Sequence, residues 1–490
     1  MSEVTIFQTL AALLISAAVS GSSYTFATYS EALKKQFNFE LAQLETINIS
    51  CFCIGFVTFV PGLIGDKLGP RRTIFLGGCF QGSAFALFWA ISMRFIDLGE
   101  GDFVVAMLSL CLLVQFLGSS CVTGAVFASA VRNFPGQKGQ IVGLIKGWVG
   151  LCGGMYTQIF VGFVPVDLND DEDPLYLWFL LVASICCLCA TLLPSQFVMV
   201  HAGAKERDAD PTFLRSVERR VYVGYLILIL MGVVVIASAL LELHVDHCVL
   251  TAFAVAIIFI WASPTILALP VWDLGSDSSR SNGDEALHSI LLSGAAAEGE
   301  EDQGLIKELG IVEMVKTLNF WLFLWPCVAL IGAGIGMTTN VAQMFSAIGS
   351  NDNVVATTFF SATQSLTRVL AGLLCDVLKV RGVPAATVLA LGLVFMLLAY
   401  LLFVVNTPQS LFAGVLCAGV GFGSAWPVMV VVVAELFGQK NLGGNYMVYD
   451  GVASAVGAIV FGKLIPEAVY NAHLDDGETE CYGSECFRLN

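Results

Sequence analysis

The sequence predicts an all-α polytopic membrane protein of about thirteen transmembrane helices, and three observations carry that prediction. Of 490 residues, 57% are hydrophobic and 13% charged, with a mean hydropathy of +0.81, which leaves too little polar surface for a soluble domain. Apolar runs of about 20 residues recur along the chain, each long enough to cross a hydrocarbon core as a helix whose backbone bonds are internal. The loop "GLIGDKLGPRR" (62–72) has a second copy in "GLLCDVLKVRG" (372–382), as expected of a chain built from two repeats.

The first six helices are predicted at about 7–29, 45–65, 73–95, 103–131, 140–165 and 176–195. The start, "MSEVTIFQTLAALLISAAVSGSSY", lacks a basic n-region and reads as the first span rather than a cleaved signal. These residues, 1–195, are expected to form an N-terminal repeat. A basic linker covers 196–220, and an extra helix pair is expected within 221–271. Residues 272–317 then form a Ser/Gly/acid-rich loop with ten acids against Arg280, Lys307 and Lys316, a composition typical of disorder. Five further helices, at about 318–340, 354–378, 384–405, 409–435 and 444–465, make a C-terminal repeat over 318–465, and a polar tail covers 466–490.

Lysine and arginine collect on one side of this layout. With the N-terminus in the cytosol, Lys67, Arg71, Arg72, Arg132, Lys138, Lys205, Arg207, Arg215, Arg219, Arg220, Lys379, Arg381 and Lys440 all fall on the cytosolic face. The opposite face keeps mainly Lys34, Lys35 and Arg488. An odd number of spans leaves the tail outside or in a lumen, where Cys481 and Cys486 can pair as a small disulfide loop. The other thirteen cysteines lie in or beside apolar runs and read as small hydrophobes. Which membrane holds the chain, plasma or organelle, is left open by the sequence.

The net charge of −16 gives no case for nucleic acid, because the acids sit in solvated loops such as "DLNDDEDP" (167–174). No nucleotide-binding glycine loop, catalytic triad or zinc pattern occurs, so no enzyme activity, cofactor or metal is expected. The turn "ELHVDHC" (242–248), with His244, Asp246, His247 and Cys248, reads as an ordinary polar turn, since its spacing matches no strong metal signature.

Both quoted loops have the form Gly, three residues, Asp, then basic residues: Gly62 and Asp66 followed by Lys67, Arg71 and Arg72, and Gly372 and Asp376 followed by Lys379 and Arg381. Glycine permits close helix approach, and an Asp at this place can meet basic groups or a helix N-terminus at a cytosolic gate. The pattern resembles the major facilitator superfamily, whose loop between helices 2 and 3 reads G-x-x-x-D-[RK]-x-G. "GSSYTFATYSEALK" (21–34), "NFPGQKGQIVGLIKGWVGL" (133–151), "AELFGQKNLGGNY" (434–446) and "CYGSECFRL" (481–489) resemble the nodulin-like proteins and their oxalate/formate-antiporter-like, monocarboxylate-type relatives. That resemblance implies two six-helix repeats with an added central pair, a monomer in a lipid bilayer, and secondary transport of a small molecule. In the nodulin-like pattern the Cys-rich stretch leads into a last helix, whereas this chain stops at Asn490, so the twelfth core helix is expected to be absent.

Charges inside a bilayer are costly and mark function by default. Arg368, in "SLTRVLAGLLCD", lies about two turns inside the membrane from Asp376. Monocarboxylate and oxalate transporters carry an arginine at this spacing in core helix 8, and the resemblance implies that Arg368 binds a carboxylate through its two-pronged guanidinium. The alternative is a gate ion pair with Asp376 or Asp450. Lys146, in "VGLIKGWVGL", either attracts an anion or pairs at the gate or snorkels to the cytosol. Asp450, in "YMVYDGVAS", either couples protons or partners Lys146 or Arg368. Oxalate transporters place a lysine in core helix 11, and this chain has none mid-helix there, so a monocarboxylate or a substrate of mixed charge fits better than a dicarboxylate.

Tyr24, Thr25, Tyr29, Gln115, Asn340 and Gln343 sit on helices that line the central path in this fold, with Gln158 and Gln364 as further candidates. Each can equally serve as an interhelical hydrogen bond. The expected function is therefore secondary active transport of a small organic anion by alternating access, with protons as a candidate coupling ion. A carrier of amino acids or other zwitterions, and a non-transporting sensor on the same fold, are the alternatives.

Overall fold

A computed structural model describes residues 4–99, 101–166, 173–203, 207, 210–242, 244–273, 308–347, 353–405, 407–465 and 468–469. Every described element is helical. The first span is α1 (Ile6–Ala17), whose Thr5–Gln8 capping box satisfies its leading amides, and it continues as a 3-10 helix over Ala18–Thr28. A short α2 (Ser30–Phe37) ends at Asn38 in the left-handed conformation. The second span is bent by 53° between α3 (Leu41–Cys53) and α4 (Phe59–Leu68). Gly69, at φ +82°, turns the chain into Pro70 at the start of α5 (Pro70–Ser92). Then follow α6 (Asp102–Asn133), α7 (Lys138–Phe163) and α8 (Phe179–Leu192).

The central pair is α9 (Pro211–Leu241) and α10 (His247–Ala262). After residues 274–307, which lie outside the description, come α11 (Ile311–Val315), α12 (Leu318–Ala347), α13 (Asn353–Val380), α14 (Ala386–Val405), α15 (Pro408–Phe437) and α16 (Leu442–Gly457). The last continues as a π-helix over Ala458–Leu464.

Helices occupy all thirteen predicted spans. Among the described residues, nine are long and apolar enough to cross a membrane alone, and the bent α3–α4 pair makes ten. The other three are α1, α7 and α13. Their deficit has a physical reason: α7 carries Lys138 and Lys146, α13 carries Arg368, Asp376 and Lys379, and the first span gives its second half to a Ser/Thr-bearing 3-10 segment. Within the N-terminal set α6 packs on α5 and α3, and within the C-terminal set α15 packs on α14 and α13. The two sets meet where α7 lies against α13 and α4 against α16.

Two expectations about the middle of the chain are corrected. The helix expected from about 221 begins at Pro211, capped by Asp210 accepting from the Thr212 amide at 2.9 Å. Arg220 accordingly lies within α9 rather than in a linker and is buried, 1% exposed, with its guanidinium 3.6 Å from the centre of the Phe7 ring on α1. It donates to the carbonyls of Leu267 at 2.8 Å and Leu269 at 3.3 Å, fastening the end of the pair back on itself. Replacing it by Leu keeps the volume and strips those carbonyls of their donor. Arg220→Leu is expected to cost about 3 kcal/mol, read as a lowered melting temperature in lipid nanodiscs. The second correction concerns the acidic loop. Its last residues, from Glu308, are ordered against the α15–α16 turn, as detailed below.

The pair packs on α7 along its length. Tyr225 donates to the Gln140 carbonyl at 3.1 Å, Gln158 donates to Glu242 at 3.0 Å and accepts from Ser238 at 2.5 Å, and Thr251 donates to the Gly162 carbonyl at 2.7 Å. Gln158 is thereby committed to holding α9. Burial pushes the Glu242 carboxyl above its ordinary value, with the Gln158 bond acting the other way. The thirteen described cysteines are all unpaired, and Cys481 and Cys486 lie outside the described residues.

Candidate functional site

The two repeated loops meet the opposite half in the same way. Asp66 sits in the last turn of α4. One of its oxygens pairs with Arg132 at 2.5 Å and the other accepts from the Gly444 amide at 2.9 Å, in the first turn of α16. Asp376 sits in the last turns of α13, and its oxygens accept from the Gly139 amide at 3.0 Å and the Gln140 amide at 2.7 Å, in the first turn of α7. Each aspartate therefore answers the free amides and positive dipole end of a helix belonging to the other half.

Glycines allow that approach. A Cβ at Gly62 would stand 2.7 Å from the Gly443 carbonyl carbon and 2.8 Å from the Gly444 Cα, and one at Gly372 would stand 2.7 Å from the Gly143 Cα. Arg132 also donates to the carbonyls of Gln439 at 3.0 Å and Lys440 at 2.6 Å, and Lys138 pairs with Glu435 at 3.1 Å. These contacts seal the basic end of the molecule. Arg71, by contrast, bonds Gln196 within its own half, and Arg72 is exposed on α5.

About 12 Å deeper by helix rise, eight residues back along α13 from Asp376, lies a charged cluster. Lys146 on α7 is 3% exposed; its ammonium donates to the Tyr446 hydroxyl at 2.7 Å and stands 3.8 Å from Asp450 Oδ1. Tyr446 in turn donates to Asp450 Oδ1 at 2.5 Å, one helical turn along α16. The ammonium does not snorkel. It lies 4.4 Å from the centre of the Phe127 ring and 4.8 Å from that of Trp426, faces that favour a cation.

Arg368, 1% exposed, donates to Gln364 at 2.8 Å and to the Lys146 carbonyl at 3.3 Å, with its guanidinium 5.5 Å from the Trp426 ring. Asp450 attracts the Lys146 charge and Arg368 repels it. Among the described residues, Lys146, Arg368 and Asp450, drawn from both halves, thus meet in a buried place. The indole N–H of Trp426 and the hydroxyl of Ser365, one turn before Arg368, are both buried without a hydrogen-bond partner. The arrangement suits a small anion, which brings a negative charge to the two cations and acceptors for those donors.

The remaining candidates do different work. Gln115 on α6 and Gln81 on α5 both donate to the Ser22 hydroxyl, at 2.8 and 2.5 Å, and Thr25 donates to the Ser22 carbonyl at 2.6 Å, so this network ties the 3-10 half of the first span to its own half. Tyr29 is buried against Phe26, Phe88 and Phe179, and with Ser22, Asn48 and Gln115 it lines a small pocket inside the N-terminal set. The side chains of Tyr24, Asn340 and Gln343 lie outside the described residues. No group of three or more His, Cys, Asp or Glu capable of holding a metal occurs among the described residues.

Sequence reasoning missed Tyr446, Trp426 and Phe127, aromatic residues without a mark in an apolar helix. It took Arg132 only as a topological charge. A usable signal for Tyr446 was its place four residues before Asp450 in "YMVYD".

Comparison with known proteins agrees with this architecture. The Nodulin-like family model matches residues 6–271, and the model of the NFD4 C-terminal domain matches residues 302–490. The uncharacterized MFS-type transporter YhjX of Escherichia coli K12 is 26% identical over 151 residues, which are 30% of this chain and 36% of that protein. The probable transporter mch1 of Emericella nidulans is 26% identical over 108 residues, 21% of this chain and 17% of that one. The chain thus spans about a third and about a sixth of these curated relatives.

Among solved structures, the proton:xylose symporter XylE with bound 6-bromo-6-deoxy-D-glucose superposes with a TM-score of 0.60 at 10% identity, over 98% of this chain and 92% of that one. A partially occluded inward-open form of XylE from E. coli gives 0.54 at 10% identity, over 98% and 94%. At such identity the likeness establishes the fold alone, that of the major facilitator superfamily; the apolar helices described above and the transporter relatives support a multi-pass integral membrane protein. By the match over more than half its length, the chain belongs to the Nodulin-like family.

Proposed function

We propose that this chain is a secondary active transporter that moves a small organic anion, of monocarboxylate type, by alternating access. One observation carries the proposal: Lys146 from one half and Arg368 from the other lie with Asp450 in one buried cluster, and two cations drawn from facing halves suit an anion held between them. Arg368 offers the carboxylate a planar pair of donors, and Lys146 adds a point charge from the facing half. The halves, about 1–195 and 318–465, rock around this site, with the central pair 221–271 riding on α7. Asp66, Asp376 and Arg132 hold the basic end shut, and we place that end and the N-terminus in the cytosol. Asp450 carries the coupling proton, because protonating it releases Lys146 toward the anion.

The test is uptake of labelled acetate, L-lactate and oxalate into proteoliposomes under an inward proton gradient. Arg368→Ala is expected to abolish monocarboxylate uptake while the protein still folds, since the Lys146–Asp450 pair stays intact without it. Wild-type uptake in Arg368→Ala would remove the anion reading. One feature favours a second reading, a zwitterionic substrate: Asp450 stands in the same cluster and can meet an ammonium group. For that cargo Asp450→Asn abolishes amino-acid uptake, and monocarboxylates are not carried.

A further inference from the structure

The peptide turn that precedes α16 is gripped from two sides. Arg132, from the N-terminal half, donates to the carbonyls of Gln439 and Lys440 at 3.0 and 2.6 Å. On the other side, Glu308 accepts from the amides of the same two residues, Gln439 at 3.3 Å and Lys440 at 2.8 Å. The Gln439 carbonyl and the Lys440 amide belong to one peptide unit. That unit lies between a carboxylate on its N–H and a guanidinium on its C=O, and each bond polarises the group toward the other.

The place is built for Glu308. Gly438, at φ +87°, has the backbone conformation glycine favours, and a Cβ there would stand 2.6 Å from the Glu308 carboxyl carbon. The following residues are fastened too. The Leu309 amide donates to the Phe437 carbonyl at 3.1 Å. The Leu309 carbonyl accepts from the side chains of Asn441 at 3.1 Å and Asn445 at 3.0 Å. Beyond it, α11 packs on α12 and α16. A ring therefore closes: Asp66 to Arg132, Arg132 to the turn, the turn into α16, and the Gly444 amide of α16 back to Asp66. Glu308 braces that ring from outside it.

We infer that Glu308, at the head of the strap 308–315, is a gate-positioning residue that holds the Gly438–Lys440 turn in the one geometry whose carbonyls Arg132 can reach, and so biases the molecule toward the state sealed at its basic end. The strap stays with α15 and α16 when the halves part, whereas Arg132 leaves with the other half. Glu308 therefore acts on the opening equilibrium through the shape of the turn. Covalently, the strap joins the gate to residue 273 at the end of the α9–α10 pair, so the acidic stretch between them links the helix pair riding on α7 to the turn that seals α16. The inference rests on the gate described under Proposed function and is independent of the cargo.

Hydrogen–deuterium exchange of the full chain in lipid nanodiscs tests it without a substrate. Glu308→Gln loses the charge and one acceptor, and faster exchange at 438–441 is its direct local effect. The informative readout is distant: amides 139–143 on the other seam, the first two of which Asp376 caps, are expected to exchange about tenfold faster because the whole end opens more often. Glu308→Asp, which keeps the carboxylate, restores most of the protection. Faster exchange confined to 438–441, with 139–143 at the wild-type rate, overturns the inference and leaves Glu308 a local cap. Loss of protection that also reaches the Phe85–Ser92 end of α5, which is remote in sequence from its Gly69–Pro70 turn and packs within the N-terminal half, overturns it as well, since Glu308 would then be holding the fold. Failure of every anion in the uptake panel leaves these outcomes unchanged, so the two readings fail separately.

Discussion

Lys146→Met is expected to abolish uptake and to cost the fold about 3–5 kcal/mol, the range for removing one partner of a buried ion pair. The cost arises because Asp450 is left ionised in a buried place, with Tyr446 as its remaining close donor. Adding Asp450→Asn removes the stranded charge, so Lys146→Met/Asp450→Asn is expected to recover most of the lost stability. Transport is not expected to return, because the double variant lacks both the cation proposed to meet the anion and the carboxylate proposed to take the proton. Melting temperatures of the two single variants and the double variant, measured with uptake on the same preparations, form the cycle. A double variant that melts no higher than Lys146→Met would show that the two residues are not coupled as the 3.8 Å contact implies. A double variant that transports would remove them from the mechanism altogether. Arg368→Ala makes the contrast, since it removes a cation and leaves the Lys146–Asp450 pair intact.

Which parts of this could be read from the chain follows from what a residue costs in its setting. A charge in an apolar run is conspicuous because it is expensive, so Lys146, Arg368 and Asp450 stood out individually. Their convergence did not, for it depends on how α7, α13 and α16 are rotated about their axes. Asp66 and Asp376 were legible twice over, as charges and as a repeated spacing, and an aspartate meeting a helix N-terminus at a gate was among the expected uses. The partners were not legible. Tyr446, Trp426 and Phe127 are aromatic residues among other apolar residues, and an aromatic ring is as much at home in lipid as over a cation. Glu308 was hidden for the opposite reason: it is one of ten acids in a stretch whose composition signals disorder, and one carboxylate there looks like the next. Arg220 was placed at the end of the basic linker because it ends a charged segment, while its burial follows from α9 starting earlier than the apolar run does. The fold was easier than the site, since helix length and loop charge are one-dimensional signals. Even so, α7 and α13, the two helices that meet at the seam, are among the least hydropathic spans because they carry the polar groups the seam uses.

Gly372→Leu is expected to cut turnover about a hundredfold while leaving both halves folded. The Cβ alone would sit 2.7 Å from the Gly143 Cα and 3.0 Å from its nitrogen, and the obstructing atoms are backbone of the opposite half, which no rotamer change can move. Overpacking at a rigid contact costs about 1–3 kcal/mol for modest insertions, and here the whole cost falls on one state, the one sealed at the basic end. A differential of about 2.7 kcal/mol shifts a two-state equilibrium about a hundredfold, by the tenfold-per-1.4 kcal/mol conversion. Gly62→Leu should behave alike, because its Cβ meets the Gly443 and Gly444 backbone across the pseudo-equivalent seam. Gly69→Leu makes a different case: it has open space around its Cβ but a φ of +82°, so its penalty is backbone strain within one half, present in both states. Turnover in proteoliposomes, paired with exchange at 139–143 and 439–444, separates the two kinds of damage. The seam variants lose turnover and gate protection together, whereas Gly69→Leu lowers the melting temperature and leaves the relative protection of the gate amides as in the wild type. Were Gly372→Leu to turn over normally with its gate amides protected, the closely packed seam would not be part of the transport cycle.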